Sequence, residues 1–173
     1  GSNSLSVLDE LPQNASVVVI RLRSLGDAVL TTPALRLLKT ARPDLRVSVV
    51  LDEVFAPLLE GSSDIDEVIR ADRKRRTQAI REIRKRSPAL CLNLHGGTSS
   101  AWMTALSGAK HRAGFAHFRM ESVYNIRIPR AQEVLGLDED ASVHTAQHLA
   151  SAMFFLGVPQ QEIPSARLFA APR

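Results

Sequence analysis

Short apolar runs alternate with amphipathic segments along most of this chain. The runs that predict β-strands lie at 16–22, 46–51, 66–70, 89–94 and 111–115, with a candidate edge strand at 124–128. The segments whose apolar residues recur at helical spacing lie at 27–41, 53–61, 77–86, 99–108 and 143–156. Strands that alternate with helices in this way predict an α/β fold with a doubly wound parallel sheet.

Two stretches are less regular. In the first helix, Pro33 leaves two alternatives open: Thr32 caps a helix that starts at Pro33, or one longer helix kinks there. Residues 116–140 show no clear periodicity beyond the candidate edge strand.

The ends of the chain differ in composition from its middle. Residues 1–15 predict a tag remnant and polar tail, residues 16–157 one domain, and residues 158–173, with three prolines, a linker. Residues 1–14 lack the apolar core of a signal peptide, and no run approaches the roughly 20 apolar residues of a membrane helix. The single cysteine, Cys91, excludes a disulfide within the chain, and a reducing, cytoplasmic location is expected.

Positive charge is concentrated in one segment. Residues 70–86 contain nine Arg or Lys against two acids, a local excess of seven in a chain of net charge +4. The remainder is therefore net negative by three, and one surface is expected to be strongly basic. Such a surface indicates an anionic partner or substrate.

Two loops are placed where parallel sheets bind ligands, at the carboxyl ends of strands. Residues 23–27 follow the first strand and residues 95–99 follow the fourth. A predicted helix begins after each, and helix N-termini offer free N–H groups to anions.

The first loop leaves the role of Asp27 open. Only Gly26 is present, so the three-glycine dinucleotide fingerprint is excluded. Asp27 either caps the helix or acts as a catalytic carboxylate, and the two roles are compatible. In the second loop, Gly96 and Gly97 form either a plain turn, with Ser99 as the helix N-cap, or a backbone that approaches a ligand.

Other residues with reactive or aromatic side chains have ordinary explanations. His144 and His148 lie four residues apart, but no third ligand is evident and no metal site is expected. Cys91 lies between apolar neighbours and is expected to be structural. Trp102 occupies a helical position that predicts core packing.

The order of these features resembles a known family. The chain is similar to the N-terminal half of the heptosyltransferases of lipopolysaccharide core synthesis, glycosyltransferase family nine. The resemblance rests on "SLGDAVLTTPAL" after the first strand, on "LCLNLHGG", on "SGAKHRAGF" and on "VHTAQHLASAMFFLGVP", and it covers most of residues 16–159.

The resemblance implies the GT-B architecture, in which two Rossmann-like halves enclose the active site. This half would bind a phosphorylated acceptor of the Kdo-lipid A type, and a second half, absent here, would bind ADP-heptose. Transfer would be inverting, and this half alone would be inactive. Nothing in this half resembles a dedicated metal site, and no cofactor is expected.

The resemblance also implies roles for individual residues. Asp27 would be the base that takes the proton of the attacking hydroxyl. Ser24 and Gly26 would shape the loop around it. Arg23 stands where the family often has a small or hydroxyl residue, and it would either narrow the pocket or bind an acceptor phosphate. The cleft would be lined by His95, Gly96 and Gly97, and the acceptor phosphates would be met by Arg73, Lys74, Arg75 and Arg76.

Two other classes of function compete with the transferase. One is a stand-alone module that binds an anionic saccharide or nucleotide without catalysis. The other, nucleic-acid binding through residues 70–86, is disfavoured because this stretch has no interleaved aromatic residues. A lipid-linked acceptor further implies peripheral contact with the cytoplasmic face of the inner membrane.

Overall fold

A six-stranded sheet forms the centre of the molecule. We describe it from a computed structural model, which covers residues 6–22, 25–52, 54, 56–72, 74 and 76–165. Neighbouring strands are parallel, and they lie in the order β3-β2-β1-β4-β5-β6. Along the chain they are β1 (Ser16–Ile20), β2 (Arg46–Asp52), β3 (Glu67–Ala71), β4 (Leu90–Asn93), β5 (His111–Phe115) and β6 (Ile126–Ile128).

Helices cover both faces of the sheet. In the described part of the chain they are α1 (Val7–Glu10), α2 (Leu25–Ala41), α3 (Ala56–Leu59), α4 (Arg76–Lys85), α5 (Thr98–Ala105), α6 (Ala131–Leu135) and α7 (Thr145–Leu156). A 3-10 helix spans Glu121–Val123. Helices α2 and α7 pack together on one face, and α4 and α5 pack together on the other.

The sequence of β1 explains why both faces are covered. Side chains alternate between the two faces of a strand, and four consecutive apolar residues therefore need cover on both. Val17 and Val19 join the core cluster of α2 and α7, whereas Val18 and Ile20 join that of α4 and α5. All four are fully buried.

The doubly wound parallel sheet predicted from the sequence is confirmed. From β1 the chain crosses to β2 on one side, and from β4 it crosses to β5 on the other. Because the crossovers diverge between β1 and β4, a crevice forms at the carboxyl ends of these two strands.

Pro33 lies inside a continuous helix, so the longer-helix alternative holds. Proline has no N–H to donate, which leaves the carbonyl of Val29 without its intrahelical partner. The hydroxyl of Thr32 donates to this carbonyl at 2.8 Å and replaces the missing bond. Thr32 thus supports the helix interior and does not cap its start.

The segment before β1 is more ordered than the predicted polar tail. Ser6 and Asp9 form a capping box at the start of α1, and Leu8 and Leu11 are buried in the core. The guanidinium of Arg42 donates to carbonyls at the end of this segment, those of Leu8, Leu11 and Pro12. These bonds satisfy carbonyl groups that a helix end leaves open.

Two regions predicted as irregular contribute to the fold. Residues 116–140 contain the 3-10 helix, β6 and α6, and β6 lies within the edge strand predicted at 124–128. After α7, residues 158–165 have no helix or strand, but Val158 is buried in the core. The remainder of the predicted linker, residues 166–173, lies outside the described residues.

Trp102 does not pack into the core as its helical position predicts. Helix α5 buries Ser100, Ala101, Met103 and Thr104, and Trp102 points away from them with 53% of its surface exposed. The prediction was wrong because apolar spacing alone does not show which side of a short helix meets the sheet.

Candidate functional site

A cleft of about 420 Å³ lies at the carboxyl ends of β1 to β4. The residues that line it come from the ends of these strands, from the loops after them, from the start of α4 and from the first two turns of α5. They are Leu22, Asp52, Ala71, Asp72, Arg76, His95, Gly96, Gly97, Thr98, Ser99 and Met103. This is the edge at which the sequence places its two candidate loops.

The loop after β1 enters α2 earlier than the sequence predicts. The helix begins at Leu25, so Asp27 is its third residue and not the cap that precedes it. An acid in the first turn complements the positive end of the helix dipole. Arg23 and Ser24 lie outside the described residues, and for Gly26 and Asp27 the backbone alone is described.

The predicted basic cluster is only partly described. Arg76 begins α4 and lines the cleft. Lys74 is exposed and is not among the lining residues, and its backbone N–H donates to Asp72 Oδ1 at 2.8 Å. Arg73 and Arg75 lie outside the described residues.

A buried amide, Asn93, organises the loop after β4. Its Oδ1 accepts from the N–H of His95 at 2.9 Å and of Gly96 at 3.2 Å. Its Nδ2 donates to Ser100 Oγ at 3.0 Å and to the hydroxyl of Tyr124 at 2.8 Å. Both N–H donors of Nδ2 are therefore used. Asn93, at the end of β4, thus links the loop to α5 through Ser100 and to the end of the 3-10 helix through Tyr124.

The two glycines of this loop differ in the space that surrounds them. Both have positive φ, +81° at Gly96 and +90° at Gly97. A Cβ on Gly96 would also approach the ring of Phe118 to 3.0 Å, whereas one on Gly97 would meet nothing within 4 Å. Gly97 is the N-cap of α5, a position predicted for Ser99. The exposed Gly97 backbone therefore faces the cleft with space around it.

Sequence reasoning missed two carboxylates in the cleft. Asp52 ends β2 and Asp72 follows β3, and each accepts from the backbone N–H two residues later, at 3.1 Å from Val54 and 2.8 Å from Lys74. Such turns hold a carboxylate at a strand end. The available signal was an acid directly after each apolar run, at the edge where ligands bind.

The basic surface is smaller than the local charge excess suggests. Arg70 pairs with Glu60 at 2.6 Å, and Arg86 pairs with Glu67 and Glu82. Glu60 and Glu67 lie outside residues 70–86, so the charge count over that segment does not include them. Lys85 lies 3.6 Å from Glu82, and the other exposed cations in the described part of this region are Lys74, Arg76, Arg81 and Arg84.

The histidine pair noted in the sequence divides between two environments. His144 is the N-cap of α7, and His148 stacks on Phe115 with ring centroids 4.1 Å apart. Burial, with the nearby His117 and Arg21, lowers the pKa of His148 below its ordinary value. Among the described residues, no three His, Cys, Asp or Glu side chains are grouped as metal ligands.

Cys91 lies in the core of the sheet, on β4. Burial raises the pKa of its thiol to about 12, so the nucleophilic thiolate is not formed at neutral pH. The structural role predicted for this residue agrees with its position.

Solved structures share this fold. The chain matches a glycosyl transferase family 9 structure from Veillonella parvula with a TM-score of 0.79 and 22% identity, over 99% of this chain and 48% of that one. It matches the ADP-heptose lipopolysaccharide heptosyltransferase II of E. coli with a TM-score of 0.72 and 18% identity, over 90% and 47%. A match to E. coli heptosyltransferase WaaC with ADP has a TM-score of 0.70 and 19% identity, over 86% and 50%.

No protein-family model and no curated protein sequence matches the chain. The identities to the solved structures are low, and the likeness is one of fold. In the described part of the chain, no helix is long and apolar enough to cross a membrane. The chain therefore has the Rossmann-like α/β fold found in family 9 glycosyltransferases, and it spans about half the length of those proteins.

Proposed function

We propose that this chain is the N-terminal, acceptor-binding half of an inverting glycosyltransferase. The donor is ADP-heptose, and the acceptor is an inner-core lipopolysaccharide saccharide of the Kdo-lipid A type. The single observation that carries the proposal is the cleft at the β1–β4 edge, because it combines an anion-binding helix start with carboxylates in a fold shared with heptosyltransferases.

The cleft supports binding of a sugar that carries negative charge. Arg76 and the first N–H groups of α5, at Thr98 and Ser99, offer donors to phosphate or carboxylate oxygens. Asp52 and Asp72 offer acceptors to sugar hydroxyls. In the proposal, Arg23, Arg73, Lys74 and Arg75 extend the anion site, and His95, Gly96 and Gly97 form the wall against which the sugar packs.

Asp27 is the proposed general base. An acceptor hydroxyl attacks the anomeric carbon of the donor, its proton passes to the carboxylate, and the bond to the ADP oxygen breaks with its electron pair. Support comes from the backbone position of Asp27, in the first turn of α2 at the carboxyl end of β1. Ser24 and Gly26 shape the loop that leads to it.

The proposal includes a second, donor-binding half joined through the linker at 158–173. The diphosphate of the donor would be bound there, so residues 16–157 alone would be inactive. Because the acceptor is lipid-linked, the whole protein would work at the cytoplasmic face of the inner membrane.

We expect Asp27→Asn in the protein with both halves to lower turnover at least about a hundredfold, the usual scale for loss of a general base. The assay is heptose transfer from ADP-heptose to Kdo-lipid A. The matched control is Asp138→Asn, which removes an exposed carboxylate far along the chain. Wild-type turnover of Asp27→Asn, with its fold intact by circular dichroism, would remove Asp27 from the chemistry.

A further inference from the structure

We propose that the outward sides of α4 and α5 form a docking surface for an anionic lipid bilayer. This α4–α5 face comprises Arg76, Arg81, Arg84, Lys85, Trp102 and Leu106. It deepens the proposed function in one respect, since it names the face that meets the membrane, but its evidence is independent of the reaction.

Helix α4 separates apolar and basic residues onto opposite sides. Ala79 and Ile83 are buried against the sheet, and the cations at 81, 84 and 85 are exposed. The nearest acid to Lys85 is Glu82, at a loose 3.6 Å in an exposed pair that contributes little. This side of the helix therefore presents positive charge to solvent.

Helix α5 adds apolar surface beside these cations. Trp102 is 53% exposed and Leu106, just past the helix, is 42% exposed. Indole rings are favoured at the boundary between water and lipid headgroups, because they are apolar with one polar N–H. An exposed tryptophan next to basic residues is the combination that interfacial membrane segments use.

One hydrogen bond joins the two parts of the face. The guanidinium of Arg84 donates to the carbonyl of Leu106 at 2.9 Å, so a cation of α4 lies against the end of α5. Both helices also pack on the same core cluster, through Ile83 and Met103. Charge and apolar surface are thus presented side by side.

The position of the cleft agrees with this occupant. Arg76 begins α4, Thr98 begins α5, and both line the cleft. The cleft therefore opens at the amino ends of the helices whose sides would lie on the bilayer. A saccharide attached to a lipid could enter it without leaving the membrane.

The single tryptophan of the chain reports directly on this face, because all indole fluorescence comes from Trp102. We expect vesicles of phosphatidylethanolamine with phosphatidylglycerol to shift its emission to the blue and to protect it from acrylamide quenching. Vesicles of phosphatidylcholine alone should do neither. Sedimentation with vesicles but no change in Trp102 emission would show that another face binds, and would overturn the assignment.

Paired substitutions separate this face from net charge. Arg81→Gln with Lys85→Gln should lower the vesicle partition coefficient about twenty-five-fold, which is roughly fivefold for each cation removed. The control pair, Arg36→Gln with Arg127→Gln, removes the same charge from exposed positions on α2 and β6. This pair should change the vesicle partition coefficient little. Equal losses in the two pairs would contradict a specific face.

Two more measurements test the occupant. Trp102→Ala with Leu106→Ala should lower partitioning about tenfold in sedimentation, because the apolar contact is lost. A DNA duplex or single strand that changes Trp102 emission as strongly as the vesicles would overturn the lipid assignment in favour of nucleic acid. None of these measurements needs donor sugar or turnover. Their outcome is therefore independent of whether the proposed transfer reaction is correct.

Discussion

At the scale of single residues, Asn93 shows how one side chain shapes the candidate site. It is fully buried, and its amide reaches two backbone N–H groups and two hydroxyl groups. Nothing in "ALCLNL" distinguishes this residue from a polar interruption of an apolar strand. The N–H groups of His95 and Gly96 lie two and three residues along the chain, whereas Tyr124 lies 31 residues away and is brought to Asn93 only by folding.

Replacement of Asn93 should loosen the loop and the fold together. We expect Asn93→Ala to lower the free energy of unfolding by about 3 to 4 kcal/mol, because buried N–H groups lose their acceptor. Tyr124→Phe removes only one of the four bonds and should cost about 1 kcal/mol. Urea denaturation of both variants tests the grading, and equal losses would show that the amide network is not the cause.

The packing of Gly96 against Phe118 provides a second test at the scale of single residues. Gly108, which has a similar φ, serves as the matched control. Their φ values are +81° and +80°, but only the Gly96 position faces the Phe118 ring. We expect Gly108→Ala to cost about 1 to 2 kcal/mol from backbone strain, and Gly96→Ala at least about 1 kcal/mol more from overpacking. Equal unfolding free energies for the two variants would mean that Phe118 moves aside freely.

At the scale of elements, periodicity predicted most strands and helices within a few residues. The strands at 46–51, 66–70 and 111–115 match β2, β3 and β5 closely, because buried parallel strands need continuous apolar runs. Helix boundaries were less accurate. The start of α2 moved to Leu25, and periodicity could not choose between the two alternatives at Pro33.

The replacement bond at Pro33 can be tested by a double-mutant cycle. Thr32→Val should lower the unfolding free energy by about 1 to 2 kcal/mol, because the Val29 carbonyl loses its donor. In a Pro33→Ala background, the introduced alanine supplies a backbone N–H to that carbonyl, and Thr32→Val should cost less than about 0.5 kcal/mol. Thermal or urea unfolding measures both, and additivity of the two substitutions would argue against the proposed compensation.

At the scale of the whole molecule, the folded unit begins before β1. Residues 6–15 look polar in sequence, but Leu8 and Leu11 reach the core beside the end of α7. We expect Leu8→Ala to lower the unfolding free energy by about 2 to 4 kcal/mol through the cavity it leaves. Leu137→Ala, at a site that is 42% exposed, should cost less than about 1 kcal/mol.

Chemical denaturation of the 173-residue chain measures the unfolding free energies of Leu8→Ala and Leu137→Ala. Similar small losses in the two variants would mean that α1 is not held against the core in solution. A large loss at Leu8 would place the start of the domain upstream of residue 16.

The whole-molecule view also changes the meaning of the charge pattern. The excess of basic residues at 70–86 is a property of the sequence, but acids at Glu60 and Glu67 pair with Arg70 and Arg86 in the fold. The packing of α4 and α5 on the sheet determines which cations face outward. It also places Trp102 on the same side of the molecule as these cations.

By itself, the sequence determined the order of strands and helices and the doubly wound sheet, because alternating apolar periodicity is a local property. It also predicted the edge of the sheet at which the candidate cleft lies, because parallel strands end together. The tertiary structure decided the rest: the amide of Asn93, the carboxylates of Asp52 and Asp72, the docking of α1 and the exposed face of Trp102. The Asn93–Tyr124 bond, the docking of α1 and the exposed face of Trp102 depend on contacts between segments far apart in the chain, which no local pattern encodes. The turns at Asp52 and Asp72 are local, and what the fold decided is that both carboxylates line one cleft.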